Sequence, residues 1–435
     1  MNANVRLLVA AALALMASRA SYASSNDTSF DDDVAVVLTP TRLKQAIGDI
    51  PGSVTVLTAD MLDKYGVRSV PEALRLVPGM EVTQLSNGDY RIVYHGTNMY
   101  SQRRINVLID GVAAFRSDVA FTDWSTLPVS IDDIQRIEVM RNSGTASYGA
   151  NALLAIVNII TKDPHATEGA SARVTAGSRA LRDGYVHVGG RMGDATSFRV
   201  SAQHTESLGF DQVAGFGHDS GSPDHDAGKT DRLTWKSSTE LTPIDQVELR
   251  FSTLSSQQDQ AKYDQYQATF PDVHTKESDI SLIWRHEISE RQELKVQAYQ
   301  QERRHHERWV ECLPAFAFYP ELGALWKANP DYVRAISVGK IPSGGTPGDD
   351  ALLRSALLAI RLNGTSAMAN TCGDANNDFR QLTRDIELQH TVVMSRELRM
   401  VSGVGLRRDT AVSDTYFGGD VGNSTWRAFA NRIGE

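Results

Sequence analysis

The chain has 435 residues, of which 41% are hydrophobic and 22% are charged, and its formal net charge is -9. This length exceeds that of one ordinary domain, so two structural units are expected. An acidic chain with a pI near 5.7 argues against nucleic acid as a partner, because phosphate binding requires a basic face.

The N-terminal residues predict a secretory signal peptide. Arg6 precedes the apolar run LLVAAALALM (residues 7–16), and the motif SYA (residues 21–23) offers the small residues that a signal peptidase recognises. The run is too short to span a bilayer as a helix, so we predict a cleaved signal over residues 1–23, with a buried N-terminal helix as the alternative. No later apolar stretch reaches the ~18 residues that a membrane helix needs, which leaves a soluble secreted protein or a β-barrel.

Residues 31–164 predict a small mixed α/β domain. Residues 34–39 form a β-prone segment that ends at Pro40, and residues 53–57 alternate as a strand does. Thr58 is a candidate helix N-cap, and Ser69 with Glu72 forms a capping box for a second helix, which Pro78-Gly79 ends. Further strands are predicted over residues 80–83, 91–94, 106–109, 136–140 and 156–161.

After residue 164 the pattern changes to segments in which polar and apolar positions alternate. Their length of about ten residues fits a tilted membrane-spanning strand better than an average globular strand. The predicted segments are residues 171–177, 185–191, 197–204, 233–241, 246–254, 278–286, 293–301, 383–393 and 397–407, and another begins near residue 424.

The connections between these segments alternate between short and long. Short turns at residues 193–194, 242–245, 289–291 and 395–396 separate long segments at residues 206–230, 255–276, 303–379 and 409–423, and only the first long position, residues 178–183, is brief. This asymmetry is typical of outer-membrane barrels, which have tight periplasmic turns and long outer loops. A soluble sandwich would have connections of more even length.

Three stretches closely resemble the TonB-dependent outer-membrane receptor family. They are VAVVLTPTR (residues 34–42), INVLIDGVAAF (residues 105–115) and DIQRIEVMRNSGTASYGANALLAIVNIITK (residues 133–162). The resemblance implies an α+β plug domain followed by antiparallel transmembrane β-barrel strands. We therefore predict an N-terminal extension over residues 24–42, a plug over residues 43–164 and a partial barrel over residues 165–435. Family barrels have about 22 strands, and the chain holds about ten, so a truncated receptor is expected.

The resemblance places the TonB box, the segment gripped by the energy-coupling protein TonB, at Asp33, Val34, Ala35, Val36, Val37, Leu38 and Thr39. These residues have no predicted partner strand nearby, so the segment could add to the sheet edge of another protein. A frayed N-terminal tail is the alternative interpretation.

The resemblance also implies that buried ion pairs hold the plug against the barrel. Glu138 and Arg141 occupy the matching positions, and His95 stands where the family usually has an arginine. Asn142 and Ser143 replace the more usual Gly-Pro, and a plain surface salt bridge is the alternative. Asp110-Gly111 is interpreted as a tight turn without a chemical role.

Two polar loops with aromatic residues are expected to meet the ligand at the plug apex. The candidate ligand-binding residues are Asn87, Asp89, Tyr90, Asn98, Met99, Tyr100 and Gln102. Ordinary solvated loops are the alternative interpretation.

The two cysteines, Cys312 and Cys372, predict a disulfide because the chain is expected to be exported, with two free thiols as the alternative. An acidic, histidine-rich loop could hold a hard metal ion, but its irregular ligand spacing favours a solvated loop. That loop contains His218, Asp219, Asp224, His225 and Asp226. His305-His306 is equally ambiguous, and no metal site or other cofactor is predicted.

The function that these features predict is energy-dependent import across the outer membrane of a Gram-negative bacterium. The expected partners are TonB, outer-membrane lipid and a ferric siderophore or similar large ligand, with cobalamin and haem as further candidates. No catalytic residue is predicted, because the sequence has no nucleophile elbow, P-loop or zinc motif. A signalling receptor is disfavoured because only about ten residues separate Ala23 from Asp33. A passive porin is contradicted by the predicted plug, and a secreted hydrolase is not supported by the alternation of long and short loops. A non-functional receptor fragment is the remaining alternative.

Overall fold

The computed structural model describes residues 36–37, 45–46, 50, 52–96, 102–116, 121–210, 226–259, 269, 271–337, 345–395 and 398–434. They form a small N-terminal α/β domain and one large antiparallel sheet. Several predicted features lie outside these residues. They are the signal peptide, Asp33, Val34, Ala35, Leu38 and Thr39 of the TonB box, Asn98, Met99 and Tyr100 of the apex, and His218, Asp219, Asp224 and His225.

The N-terminal domain is built on a five-stranded sheet with the order β3-β8-β9-β6-β7. Its strands are β3 (Val54–Thr58), β6 (Ile105–Ile109), β7 (Val112–Ala113), β8 (Ile134–Met140) and β9 (Ala155–Thr161). Strands β6 and β9 are parallel and the other neighbours are antiparallel. A separate hairpin pairs β4 (Met80–Gln84) with β5 (Tyr90–Tyr94). These elements match the predicted mixed α/β domain.

Two short helices begin where the sequence places their caps. Helix α1 (Ala59–Lys64) starts after Thr58, whose hydroxyl accepts from the Met61 N–H at 3.3 Å. Helix α2 (Val70–Leu74) starts after Ser69, which accepts from the Glu72 N–H at 3.3 Å. The predicted capping box is altered, because the Glu72 carboxylate accepts from the N–H of Arg68 rather than that of Ser69. A third helix, α3 (Thr145–Tyr148), precedes β9.

The core of this domain packs the helices against the sheet. Leu74 from α2 and Ile137 and Ile159 from the sheet are fully buried within one apolar cluster. Each such side chain contributes roughly 1.5–3 kcal/mol to folding. The domain therefore has a hydrophobic core of its own.

The predicted absence of a partner strand beside residues 34–39 is wrong for the part that the structure describes. Strand β1 (Val36–Val37) pairs antiparallel with β2 (Gln45–Ala46), with Val36 opposite Ala46. Antiparallel strands need only a short connection, so a segment a few residues later supplies the partner.

The large sheet follows the chain in antiparallel order. Its strands are β10 (Gly169–Ala176), β11 (Arg182–Met192), β12 (Thr196–Ser207), β13 (Gly228–Thr242), β14 (Asp245–Asp259), β15 (Asp272–Ser289), β16 (Gln292–Pro314), β17 (Asn370–Asn376), β18 (Phe379–Val393), β19 (Leu398–Ser413) and β20 (Gly419–Gly434). Strand β17 pairs with the end of β16, and the other strands form one continuous path. Within the described residues β10 and β20 are edges, so the sheet is open.

Most strands run past their predicted ends towards the long connections. The pairing of β15 with β16, for example, continues as far as Asp272 opposite Arg308. Polar residues occupy these extensions. The alternation of polar and apolar residues therefore ends before the backbone hydrogen-bond ladder between the strands does.

The segment at residues 303–379, predicted to be one long loop, contains ordered elements instead. Strands β16 and β17 flank three helices, α4 (Pro320–Ala328), α5 (Pro330–Ser337) and α6 (Pro347–Asn363). Thr346 and Asp349 form a capping box at the start of α6. Cys312 and Cys372 lie opposite each other on the two strands and form a disulfide at the base of this helical insert.

The two faces of the large sheet differ in polarity. Along β18, Thr383, Asp385 and Glu387 are buried, whereas Ile386 and Leu388 are exposed on the opposite face. The polar face is turned towards the N-terminal domain. Strands with polar side chains inside and apolar side chains outside are typical of membrane barrels.

In the part of the chain that the structure describes, no helix has both the length and the apolar character needed to cross a membrane.

Candidate functional site

Four aspartates of the N-terminal domain contact the polar face of the large sheet. They are Asp110, Asp123, Asp132 and Asp133, which we call the interface aspartates. They follow strand β6 or lie in the loop and 3-10 turn that precede β8. Each contact joins an acid on one unit to a base on the other.

The most enclosed of these contacts is made by Asp133. This residue ends a 3-10 turn, Ile131–Asp133, which begins after the Ser130 N-cap. Its carboxylate accepts from the Tyr185 hydroxyl at 2.7 Å, from the Ser201 hydroxyl at 2.6 Å and from Arg199 Nη2 at 3.1 Å. The carboxylate is thus fully partnered in a buried setting, which its charge requires.

Its neighbour Asp132 has a different electrostatic environment. The carboxylate of Asp132 lies 2.7 Å from Arg173 Nη2 on β10. Burial raises the pKa of Asp132 and outweighs the attraction of Arg173, while the charges of Asp183 and Asp133 add to the rise. The two adjacent acids therefore contact different strands of the sheet, Asp132 at Arg173 on β10 and Asp133 at Arg199 on β12.

Asp110 joins the turn after β6 to the large sheet. It adopts a left-handed φ of 49°, and the following Gly111 has a φ of 82°. Its carboxylate accepts from the Thr161 N–H at 2.9 Å and lies 3.5 Å from Lys236 Nζ. Burial opposes ionisation, but Lys236, Arg250 and the hydrogen bonds from Thr161 together hold the pKa of Asp110 below its ordinary value.

Asp123 forms the fourth contact. Arg303 Nη2 lies 2.6 Å from its carboxylate, and Arg116 Nη1 lies 3.5 Å away. Arg303 also lies 3.0 Å from Glu277 and donates to Thr126 at 2.7 Å. Burial would raise the pKa of Asp123, but Arg303 and Arg116 overcome it and hold this pKa well below the usual range.

The interface aspartates can hold the two units together, and breaking their ion pairs costs free energy. A buried ion pair adds little net stability over an apolar contact, but removing one partner leaves the other charge buried and unpaired. That loss is about 3–5 kcal/mol for each pair. The contacts reach strands β10 to β16, so the N-terminal domain is fixed to the first part of the sheet.

The residues predicted to form the latch are placed differently. Glu138 is fully buried and lies 2.8 Å from Arg136 Nε on its own strand, and Arg141 donates to the Pro78 carbonyl at 3.1 Å. His95 has a φ of 54°, and its ring lies 3.9 Å from the ring of Tyr94. The latch function of these three residues stays a prediction.

Sequence reasoning missed the interface aspartates. It assigned Asp110 only to a turn and gave the other three aspartates no role. The signal that could have found them is a set of bases at inward positions of the strands, such as Arg199, Lys236 and Arg303, which require acidic partners on whatever fills the lumen.

The described apex loop, residues 86–90, lies at the end of the sheet that carries the long connections. Asn87 donates its N–H to Asp226 at 2.9 Å, and Asp89 lies 2.7 Å from Arg91. Burial raises the pKa of the Tyr90 hydroxyl, and Glu72 adds to the effect. Gln102 is buried and accepts from the Arg104 N–H at 3.0 Å.

A cavity of about 380 Å³ opens at this end of the molecule. Among the predicted apex residues, it is lined by Asn87 and Tyr90 and not by Asp89 or Gln102. Trp124, Arg173 and Arg232 complete a lining that offers aromatic faces and guanidinium groups. We call this space the outer cavity. A larger cavity of about 1120 Å³ lies at the short-turn end, beside Asp110 and Pro243.

Within the described ranges, no group of three or more histidines, cysteines, aspartates or glutamates is arranged to hold a metal ion. Asp226, the described member of the predicted acidic loop, accepts from the N–H groups of Asn87 and Phe210 at 2.9 Å each. This aspartate therefore ties the apex loop to the sheet.

Comparison with known proteins identifies the N-terminal domain. Residues 46–156 match the model of the TonB-dependent receptor plug domain. The chain is 27% identical over 204 residues to the vitamin B12 transporter BtuB of Vibrio vulnificus. The chain therefore carries a TonB-dependent receptor plug domain. The predicted resemblance is thereby confirmed, and we use the terms plug and barrel from here on.

The matched regions cover only part of the relatives. The Vibrio match covers 47% of this chain and 33% of that protein. The BtuB protein of Photobacterium profundum is 31% identical over 186 residues, which are 42% of this chain and 29% of the relative. The chain thus spans about a third of the length of these curated relatives.

Solved structures confirm the fold class. The pyoverdine outer membrane receptor FpvA from Pseudomonas aeruginosa PAO1 aligns with a TM-score of 0.59 at 15% identity, over 92% of this chain and 51% of that one. The siderophore receptor PirA from Acinetobacter baumannii aligns with a TM-score of 0.58 at 15% identity, over 87% and 54%. The large sheet therefore has the fold of part of the barrel of such receptors.

Proposed function

We propose that this receptor takes up a large, scarce nutrient across the outer membrane and that TonB drives the uptake. The observation that carries the proposal is the set of buried ion pairs between plug and barrel. A plug held at Asp110, Asp123 and Asp133 blocks the lumen, and ligand binding alone would not release it. Work must then come from a partner in the periplasm.

The N-terminal extension supplies a site for that partner. The described part of the predicted TonB box, Val36–Val37, forms a strand with a two-residue ladder to β2. Such a short ladder leaves main-chain groups for pairing with an added strand of TonB. Strand exchange would transmit a pull to the plug through the main chain.

The outer cavity supports a ligand with both flat apolar and anionic or polar groups. Tyr90 and Trp124 offer aromatic surface. Arg173 and Arg232 add positive charge to the lining, although their guanidinium groups also bond to Asp132 and to the Leu127 carbonyl. The relatives named above are described as vitamin B12 transporters and as siderophore receptors. We therefore propose cobalamin or a ferric siderophore as the ligand class.

Growth of cells with the gene deleted tests the proposal. The deletion strain would be supplied with cobalamin or with individual ferric siderophores as the sole source of the nutrient. A growth defect on one source, restored by the gene, would identify the ligand. Normal growth and normal uptake of labelled cobalamin and of all labelled siderophores would refute the import function.

A further inference from the structure

Five bases lie close together on the outward face of the barrel strands, towards the long connections. They are Lys276 on β15, Arg304 on β16, Arg380 and Arg384 on β18, and Arg408 on β19, and we call them the outer basic patch. All five are exposed. Their strand positions alternate with those of the side chains that face the plug, such as Arg303.

Strand register places these bases directly opposite one another. Lys276 pairs with Arg304, Arg304 pairs with Arg380, and Arg384 pairs with Arg408. Directly opposed side chains have Cβ atoms about 4.5–5.5 Å apart, and like charges at that distance destabilise a sheet. The patch therefore contains three unfavourable cross-strand pairs.

Among the described residues, Glu302 is the carboxylate that contacts the patch, and it partly offsets the charge. Glu302 lies 2.7 Å from Arg304 Nε and 2.9 Å from Arg380 Nε. Arg384 instead donates to the Gln300 side chain at 2.9 Å, and Arg408 donates to the Ser424 hydroxyl at 3.2 Å. The pair formed by Arg384 and Arg408 thus has neutral hydrogen-bond partners.

The acids of the next row are already paired with other bases. Asp378 lies 2.6 Å from Arg308 and 3.3 Å from His306, and Asp272 lies 3.0 Å from His274. These acids therefore do not neutralise the five bases, and the outer basic patch keeps a net positive charge.

The position of the patch indicates what neutralises it. Next to Arg384 along the same face lie Ile386 and Leu388, and next to Arg408 lies Leu406, all of them exposed and apolar. In the outer membrane these apolar positions contact acyl chains. The patch consequently stands at the level of the lipid headgroups, on the side that carries the long loops.

We propose that the outer basic patch binds the phosphorylated headgroup of an outer-leaflet lipid. A phosphate group accepts paired hydrogen bonds from guanidinium groups, which suits two opposed arginines better than isolated lysines. Bound phosphate would also replace the repulsion between Arg384 and Arg408 by attraction to a shared anion. This inference concerns the barrel exterior and is independent of which nutrient is carried.

Binding to lipid A in neutral detergent micelles tests the proposal, with dephosphorylated lipid A and inorganic phosphate as comparison ligands. The full chain should bind the phosphorylated lipid selectively. The double variant Arg384→Gln/Arg408→Gln should bind it about 30-fold more weakly, because each base near an anionic surface contributes roughly a fivefold factor. The matched control Arg182→Gln/Arg334→Gln removes two exposed, salt-bridged arginines elsewhere and should bind as the wild type does.

Two further measurements separate lipid binding from general effects. Without lipid, the Arg384→Gln/Arg408→Gln variant should melt at a higher temperature than the wild type, because a like-charge pair is removed. Glu302→Gln should bind lipid A more tightly by several-fold, since it removes the neighbouring carboxylate. The proposal would be overturned if dephosphorylated lipid A bound equally well or if the control variant lost as much affinity for lipid A. It would also be overturned if millimolar inorganic phosphate saturated the binding site.

Discussion

The carboxylate of Asp133 in the plug lies 3.1 Å from Nη2 of Arg199 in the third barrel strand, and both side chains are about 95% buried. Tyr185 lies beside both, donating to Asp133 at 2.7 Å and accepting from Arg199 at 2.6 Å. The plug is thus anchored here by charged and polar side chains that hydrogen-bond to one another, and not by apolar packing.

Asp133→Asn should destabilise the plug within the barrel by about 3–5 kcal/mol, because it leaves the buried Arg199 without a counter-charge. Urea unfolding of the purified chain in detergent would measure the change. Asp60→Asn is the matched control, since Asp60 forms an exposed pair with Lys64 and should alter stability by less than about 1 kcal/mol. Equal effects of the two substitutions would contradict the anchoring function of Asp133.

Acid should weaken the attachment of the plug. The pKa values of Asp110 and Asp123 are lowered in the folded protein, so their contribution is complete above the ordinary aspartate pKa of about 3.9 and is lost as the pH falls below it. The free energy of unfolding should therefore be flat from pH 6 to about pH 4 for these groups and should then decrease. Asp110→Asn should make that decrease shallower, and an unchanged slope would show that Asp110 does not contribute.

Val36→Pro should abolish energised uptake and leave ligand binding intact, because proline removes the N–H that strand addition requires. Val36→Ala keeps this N–H and should retain uptake. Transport of labelled ligand into cells and binding to isolated membranes would be measured in parallel. Wild-type uptake by the proline variant would refute the proposed TonB box.

Tyr90→Ala should weaken ligand binding about tenfold, as expected for loss of a central aromatic contact. Gln102→Ala is the control, because Gln102 does not line the outer cavity. Titration of cobalamin and of ferric siderophores, followed by tryptophan fluorescence, would give the affinities. A ligand that binds both variants as tightly as the wild type would exclude the outer cavity as its site.

Reduction of the disulfide should loosen the helical insert and leave the plug unaffected. The bond joins residues 60 positions apart, and a loop of that length corresponds to about 4 kcal/mol in the chain-entropy model. Limited proteolysis should cut within α4 to α6 faster after reduction, or in a Cys312→Ser/Cys372→Ser variant, while cleavage within the plug stays constant. Unchanged cleavage of the insert would show that the bond does not stabilise it.

Local signals predicted much of the fold. The Thr58 and Ser69 caps begin α1 and α2, and period-two alternation marks the barrel strands, because both patterns depend on neighbouring residues. The helical insert was missed because its helices lie in a segment that was interpreted only by its length. The ladder between β1 and β2 was missed because two residues give no periodicity.

By itself, the sequence determined the family of the plug domain, the order of plug and barrel strands, and the side of the sheet on which the long connections lie. Only the tertiary structure decided which charges meet. Asp133 and Arg199 are 66 residues apart, and Asp123 and Arg303 are 180 apart. Register and alternation fix which face of the sheet a side chain occupies. Contact between the plug and the barrel depends on how the plug docks inside the barrel, and no local sequence pattern encodes that docking.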